Sequence, residues 1–267
     1  MSRISCFIIA KNEETKIERA INSVKNIVDE IILIDSGSTD ETVKIAENLG
    51  AKIVFNEWSG YLNQKKYGES LCKNDWILNI DADEELSLDL QEEIDLIDQT
   101  DLISKYKAYR IKLVILHRLD EKPRKFAPSI SPIRLYNKLY ASFGANLGDS
   151  THDDVKLGPN IDNKKDIFLL TKNALHRSGS SIEHLTNKAN FYSSEQADAM
   201  FKKGRLVSNF RLIFEFPLWV FKAFFIRRYF IFGIDGFIDS MIFAYARFIR
   251  LAKLRELHNS KNYSRLL

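Results

Sequence analysis

Residues 76–84 read Trp76-Ile77-Leu78-Asn79-Ile80-Asp81-Ala82-Asp83-Glu84. A short run, apolar on both faces except at Asn79, stops abruptly in acidic residues. Such a run reads as a strand buried on both sides, the kind found in parallel sheets covered by helices. In those sheets ligands bind beyond the carboxyl ends of the strands. The acids that follow Ile80 are therefore expected at a binding edge.

Working outward, the same pattern repeats. Arg3 to Ile9, Glu30 to Ile34 and Ala51 to Phe55 read as three earlier strands. Between them lie helical segments. Asn12 is expected to cap a helix with Ile17, Ala20, Ile21 and Val24 on one face, and Ser38-Thr39-Asp40-Glu41 fits a capping box for a helix ending at Gly50. A polar helix is expected over Tyr61 to Lys73. Another runs from Ser87, with Leu90, Ile94 and Ile97 inward. Strict βαβα alternation predicts an α/β fold, a Rossmann-like, mostly parallel sheet with helices on both faces. Further on, Lys107 to Leu116 and Ile133 to Tyr136 read as strands of a mixed-sheet half, linked by the Pro-bearing stretch Pro123 to Pro132.

The strand ends are unusually polar. The first runs into Lys11-Asn12-Glu13, the second into Asp35-Ser36-Gly37-Ser38-Thr39-Asp40, the fourth into Asp81-Ala82-Asp83-Glu84. Acids converging on one rim repel each other unless a cation or hydrogen-bond donors compensate. Asp-x-Asp at the end of a buried strand offers two carboxylates at a spacing suited to Mg²⁺ or Mn²⁺, which take few protein ligands and complete their shell with phosphate and water. A plainer reading stays open for Glu84 and Glu85: carboxylates near a helix start favour the helix dipole. No GxGxxG follows the first strand and no GxxxxGK[ST] occurs, which excludes dinucleotide and P-loop readings.

The chain has 267 residues, 28% charged and 45% hydrophobic, too apolar for a disordered segment. Net charge is +3, unevenly spread: residues 201–267 hold 13 Lys/Arg against 4 Asp/Glu. A basic tail on an acidic body points to an anionic surface as its partner. Cys6 and Cys72 make no disulfide framework or zinc motif. The opening apolar run ends at Lys11, too short for a signal peptide, and Leu212 to Ile234 is interrupted by Glu215, Lys222, Arg227 and Arg228. The expected location is cytoplasmic, peripheral on the inner face of the membrane.

Four blocks carry a family likeness: Ile8 to Glu14, Asp35 to Thr42, Trp58 to Tyr61 with Gln64-Lys65, and Trp76 to Glu84. In this order they resemble glycosyltransferase family 2, in particular its lipopolysaccharide core glucosyltransferase branch. Arg134-Leu135-Tyr136, Thr151-His152-Asp153-Asp154, His176, Lys188 with Tyr192, and Gly233-Ile234-Asp235-Gly236 are similar to later landmarks of that branch. The resemblance implies a GT-A fold, a UDP-sugar donor, and Mg²⁺ or Mn²⁺ as cofactor. It implies that Asp35 meets the uracil edge while Ala10, Asn12 and Glu13 line base and ribose. Lys65 would approach base or diphosphate, Asp81 the ribose and Asp83 the metal. Asn12 and Asp40 as helix caps, and Lys65 as a solvated helix residue, remain alternatives.

Members of this type usually invert, so one carboxylate deprotonates the acceptor hydroxyl. The candidate is Asp153, where the branch usually has Glu after His; Asp154 is the rival, and His152 either completes the metal shell, binds phosphate or orders the loop. The implied organisation is a nucleotide-sugar half at 1–105, an acceptor half at 106–190 and a helical basic-aromatic extension at 191–267. Twelve of the 18 Phe fall in residues 201–248. Aromatic rings interspersed with Lys/Arg suit a membrane interface through residues 201–255, while packing onto the catalytic domain or a homodimer partner is the alternative. Arg211, Glu215 and Lys222 are expected on one polar helical face, and Pro217 starts a new helix or kinks this one.

The expected activity is transfer of a hexose, glucose foremost, from a UDP-sugar to a lipopolysaccharide core or other envelope glycan or glycolipid. No nucleic acid beyond the nucleotide is expected as a partner. The competing readings are a polyprenyl-phosphate glycosyltransferase and a non-catalytic peripheral module.

Overall fold

The computed structural model describes residues 4–100, 102–144, 154–159, 161–177, 179 and 181–263, the last three by backbone only. The chain divides into two compact units: Met1–Ile115 with Ser129–His176, and Leu116–Pro128 with Arg177–Leu267.

The first unit is built on one sheet. Its strands are β1 (Ile4–Ala10), β2 (Glu30–Asp35), β3 (Lys52–Phe55), β4 (Trp76–Asp81), β5 (Glu84–Leu86), β6 (Ala108–Ile115), β7 (Ser129–Ile130), β8 (Ile133–Asn137) and β11 (Ile167–His176). They lie in the order β3-β2-β1-β4-β8-β6-β11-β5, with β7 on β6, while β9 (Ala141–Phe143) and β10 (Val155–Leu157) form a separate antiparallel pair. The first four strands are mutually parallel; β8 then runs antiparallel to both β4 and β6. The α/β expectation holds, and the sheet continues across residue 105, so the two expected halves share one sheet.

All seven residues of β1 are buried. Successive side chains serve opposite faces. Ile4, Cys6 and Ile8 join Ile17, Ile21, Leu90 and Ile94 in one core, while Phe7 and Ile9 join Ile32, Ile34, Ile77 and Tyr136 in the other. The helices supplying these residues are α1 (Ile17–Asn22) and α4 (Leu88–Gln99) on the first face; α2 (Thr42–Asn48) and α3 (Tyr61–Leu71) complete the unit. Ser87 caps α4 as expected, its Oγ accepting from Leu90 N at 3.2 Å. Both cysteines are free and buried.

Two capping expectations are corrected. Helix α1 starts at Ile17 behind Lys16, not at Asn12, and α2 starts at Thr42 behind Glu41, not behind Ser38. Asn12 instead adopts φ 55° and ties the loop after β1 to the loop after β2: its Oδ1 accepts from Thr39 N at 2.8 Å, and its N donates to Ser38 Oγ at 2.9 Å. Polar residues that would start helices by local rules bind each other across the sheet edge, satisfying backbone donors in both loops.

Gly68 lets α3 lie against β1. A Cβ there would stand 2.6 Å from Cδ2 of the fully buried Phe7. Gly68→Ala improves helix propensity by about 1 kcal/mol, but the clash with an immobile ring costs about 1–3 kcal/mol. The expected net outcome is a lower urea midpoint; an unchanged or raised midpoint would show that the core yields.

The second unit is helical: α5 (Ile182–Lys202), α6 (Asn209–Phe221), a π turn Lys222–Ile226, a 3₁₀ turn Tyr229–Phe232 and α7 (Gly233–Tyr263). Pro217 lies inside α6 and does not start a helix of its own. Helix α7 packs on both α5 and α6. Arg211 and Glu215 share one face of α6 as expected, paired at 3.4 Å, and Glu215 is turned inward. It is 5% exposed, accepts from Trp219 Nε1 at 3.0 Å, and pairs with Arg250 of α7 at 3.5 Å. Burial without these donors would be costly, so the polar stripe of α6 faces its partner helix. The 116–128 segment is held to α7 by polar contacts as well: buried His117 lies 3.2 Å from Asp239, and Arg118 pairs with Asp239 and Asp235.

Candidate active site

Register fixes the edge. Ala10 pairs with Asp35 on one side, and Ile9 pairs with Asp81 on the other. With strands spaced 4.7–4.9 Å apart, Asp35 and Asp81 flank the end of β1 across about 10 Å. The chain turns sharply after Asp81, and β5 runs antiparallel to β11 with His176 opposite Glu84. That pairing brings the end of β11 back to the acidic turn. His176 Nε2 stands 3.4 Å from Asp83 Oδ2.

Behind this turn lies a buried charge cluster. Arg134, from β8, pairs with Asp81 Oδ2 at 2.7 Å, with Glu84, and with Asn79 Oδ1 at 3.1 Å. Lys65, from α3, reaches Asp81 Oδ1 at 2.9 Å and is only 1% exposed. The alternative of Lys65 as a solvated helix residue is thus corrected: α3 turns it inward because Asp81 waits there. Glu84 Oε2 also accepts from Asp81 N at 3.2 Å. Burial disfavours an ionised Asp81, yet Arg134 and Lys65 outweigh it and hold the carboxyl well below the usual carboxylate range. Burial pushes Glu84 upward, Arg134 opposing and Asp81 adding to the rise. For His176, burial disfavours the charged form, but Asp83 at its ring nitrogen prevails and raises its proton affinity. Asp81, Asp83 and Glu84 thus gather beside Lys65, Arg134 and His176 at the turn.

The other expected residues sit at the same edge. The Asp35 carboxylate, on a 5% exposed residue, accepts from Gly37 N at 2.9 Å and Ser38 N at 3.1 Å, holding its own loop. Gly37 sits at φ 89°, which a side chain would strain. Ala10 is buried, and Asn12 and Glu13 follow it in the stitched loop. Glu13 N donates to Thr42 Oγ1 at 2.8 Å, while its carboxylate pairs with Lys16 at 2.9 Å. Gln64, fully buried, donates to Ser36 Oγ at 2.6 Å and Asn56 O at 2.8 Å, bracing the Asp35 loop from α3. Asp153 and His152 lie outside the described residues. Asp154 is exposed and directly precedes β10.

The reading of residue types did not assign roles to Arg134, Asn79 or His176. The signal for two of them was present: Arg134 opens the Arg134-Leu135-Tyr136 landmark, and His176 was itself a landmark. What was missing was the antiparallel pairing of β8 with β4 and of β11 with β5.

The Glycosyl transferase family 2 profile matches residues 5–151. An uncharacterized glycosyltransferase of Rickettsia felis is 60% identical over 98% of this chain and 93% of its own length. The lipopolysaccharide core biosynthesis glycosyltransferase LpsC of Rhizobium meliloti is 27% identical over 97% of this chain and 94% of its own. Among solved structures, glucosyl-3-phosphoglycerate synthase from Mycobacterium tuberculosis, in complex with Mn²⁺, UDP and glucosyl-3-phosphoglycerate, overlaps at 25% identity and a TM-score of 0.35. This overlap covers 43% of this chain and 44% of that one.

Proposed function

The chain belongs to glycosyltransferase family 2, and from that premise we propose that it transfers a hexose, glucose foremost, from a UDP-sugar to a glycan or glycolipid acceptor of the cell envelope. The observation that supports this most is the acidic turn after β4, where Asp83 and His176 face each other in front of the Asp81–Arg134–Glu84 cluster.

A divalent cation suits that turn. No group of three or more His, Cys, Asp or Glu able to hold a metal occurs among the described residues. A Mg²⁺ or Mn²⁺ site built from Asp83 and His176 would therefore leave its remaining positions for diphosphate oxygens and water, the usual sharing for a cation that binds substrate phosphates. The buried His176 Nδ1 has no hydrogen-bond partner among the described residues, and it would keep the ring proton when Nε2 gives up its own to meet a cation. When bound, the cation would neutralise the charge that develops on the departing diphosphate.

The chain's own residues do the rest. Lys65 and Arg134 keep Asp81 ionised, so that its carboxylate stays an acceptor for a ribose hydroxyl. Asp35, pinned by its loop, keeps lone pairs for a base N–H. Ala10, Asn12 and Glu13 border the same sheet edge, the first small enough to admit a planar base. Asp153 is the proposed base toward the acceptor hydroxyl, with Asp154 its rival. Asp153→Asn is expected to abolish transfer while UDP binding persists; turnover near the wild-type rate would pass the role to Asp154.

The likeness to the LpsC relative supports a lipopolysaccharide core acceptor, and an acceptor of that kind would place the enzyme on the inner face of the cytoplasmic membrane. The reading is tested by assaying a panel of UDP-sugars for hydrolysis and transfer with and without Mn²⁺. One UDP-hexose turned over only with the cation is the expected result. No turnover of, and no binding to, any UDP-sugar would overturn it.

A further inference from the structure

The second unit carries an apolar surface that none of its described residues covers. Along α6, Phe210, Phe214, Leu218 and Phe221 recur at helical spacing and are 72%, 50%, 47% and 54% exposed. The opposite face of the same helix is also engaged: Glu215 and Trp219 meet Arg250, Phe243 and Arg247 of α7. A surface helix of a water-soluble protein turns its apolar stripe to the core and its polar residues to water. Helix α6 does the reverse.

The stripe does not end with the helix. Phe221 contacts Phe225 at 5.0 Å between ring centroids, Phe225 contacts Phe224 at 5.1 Å, and Phe224 contacts Phe237 of α7 at 5.8 Å. The π turn and the 3₁₀ turn thereby form one aromatic corner with exposed Ile226 and Phe230. Arg227 and Arg228, both exposed, lie in the bend between the two turns, and Arg205 is exposed in the connection before α6. No acidic residue lies between Glu215 and Asp235.

We infer that this corner, from the outer stripe of α6 through the 3₁₀ turn, is a monotopic docking surface that seats in an anionic lipid bilayer. Rings enter the headgroup–acyl boundary and the arginines meet lipid phosphates. Charge complementarity selects lipid over a second copy of the chain, because a copy would bring the same arginines against each other. The stretch Tyr229–Ser260 is long and apolar enough to cross a membrane by length and composition. Its Asp235 and Asp239 are, however, engaged by Arg118 and His117, and Leu251 and Leu254 are fully buried. These contacts fit a helix that lies on the surface rather than one surrounded by acyl chains.

This inference goes beyond the transfer reading and is tested without donor or cation, so either can fail alone. Full-length protein is floated with vesicles of phosphatidylcholine, with or without phosphatidylglycerol. Expected are flotation with the anionic vesicles only, weakening at high salt, and release by alkaline carbonate. Phe221→Ser with Phe225→Ser should weaken binding by at least about tenfold with only a small fall in thermal stability, since both rings are 54% exposed. Arg205→Gln with Arg228→Gln should weaken it by about tenfold and blunt the salt dependence, which keeps the test intact should the first variant misfold. Four results would overturn the inference: protein that stays in solution with anionic vesicles, binding untouched by either pair, a dimer that excludes vesicles, or carbonate-resistant protein, which would mean a spanning helix.

Discussion

Asp83→Asn is expected to lower glycosyl transfer by about a hundred- to a thousandfold while leaving the protein folded. The side chain of Asp83 is 10% exposed, at the turn between β4 and β5, and faces His176 across 3.4 Å. Asparagine keeps the shape and a hydrogen-bonding oxygen but removes the negative charge that a divalent cation requires. The loss should fall mainly on turnover, with a rise in the Mn²⁺ concentration needed for half-maximal rate. Steady-state kinetics over a Mn²⁺ series, with circular dichroism as a folding control, checks both. Activity within a few-fold of wild type would remove Asp83 from the metal role.

Arg134→Leu is expected to destabilise the first unit by about 3–5 kcal/mol. Arg134 is 7% exposed and is the cation shared by Asp81 and Glu84, at 2.7 Å from the former. Its own charge is opposed by burial but held by Asp81 and Glu84. Leucine leaves buried Glu84 and half-buried Asp81 with Lys65 and His176 as their remaining partners, and the cost is theirs rather than that of the lost contact. Leucine at both Arg134 and Glu84 should therefore recover part of the loss, because the uncompensated acid leaves with its partner. Urea midpoints of wild type, single and double variants measure this. A double variant no better than the single would show that Arg134 matters for packing alone.

The parallel half of the fold was legible because each of its strands is a continuous apolar run flanked by periodic helices. Trp76 to Ile80 carries that signal in five residues, and β4 occupies Trp76–Asp81. The mixed half was less legible. Strand β11, Ile-Phe-Leu-Leu-Thr-Lys-Asn-Ala-Leu-His, alternates poorly because it shifts register between Leu169 and Asn173. Its partner β5 spans only three residues. Yet β11 delivers His176, so the least visible strand completes the turn.

Asp81 and Asp83 were found as an acidic pair, but sequence spacing did not separate their surroundings. Asp81 looks inward to Lys65 and Arg134, whereas Asp83 looks to His176. Local rules misread Asn12 and left the partner of Glu215 unseen for a common reason. A cap or an amphipathic face is assigned from neighbours in sequence, while the partners that won, Thr39 for Asn12 and Arg250 for Glu215, are distant along the chain.

The central claim is that the acidic turn after β4 binds a divalent cation together with a diphosphate. Crystals grown with UDP and Mn²⁺, measured at the manganese absorption edge, address it directly. The expected result is one anomalous peak within coordinating distance of Asp83 and His176, with diphosphate oxygens beside it. UDP bound at the edge with no peak there, or a peak held by other residues, would contradict it.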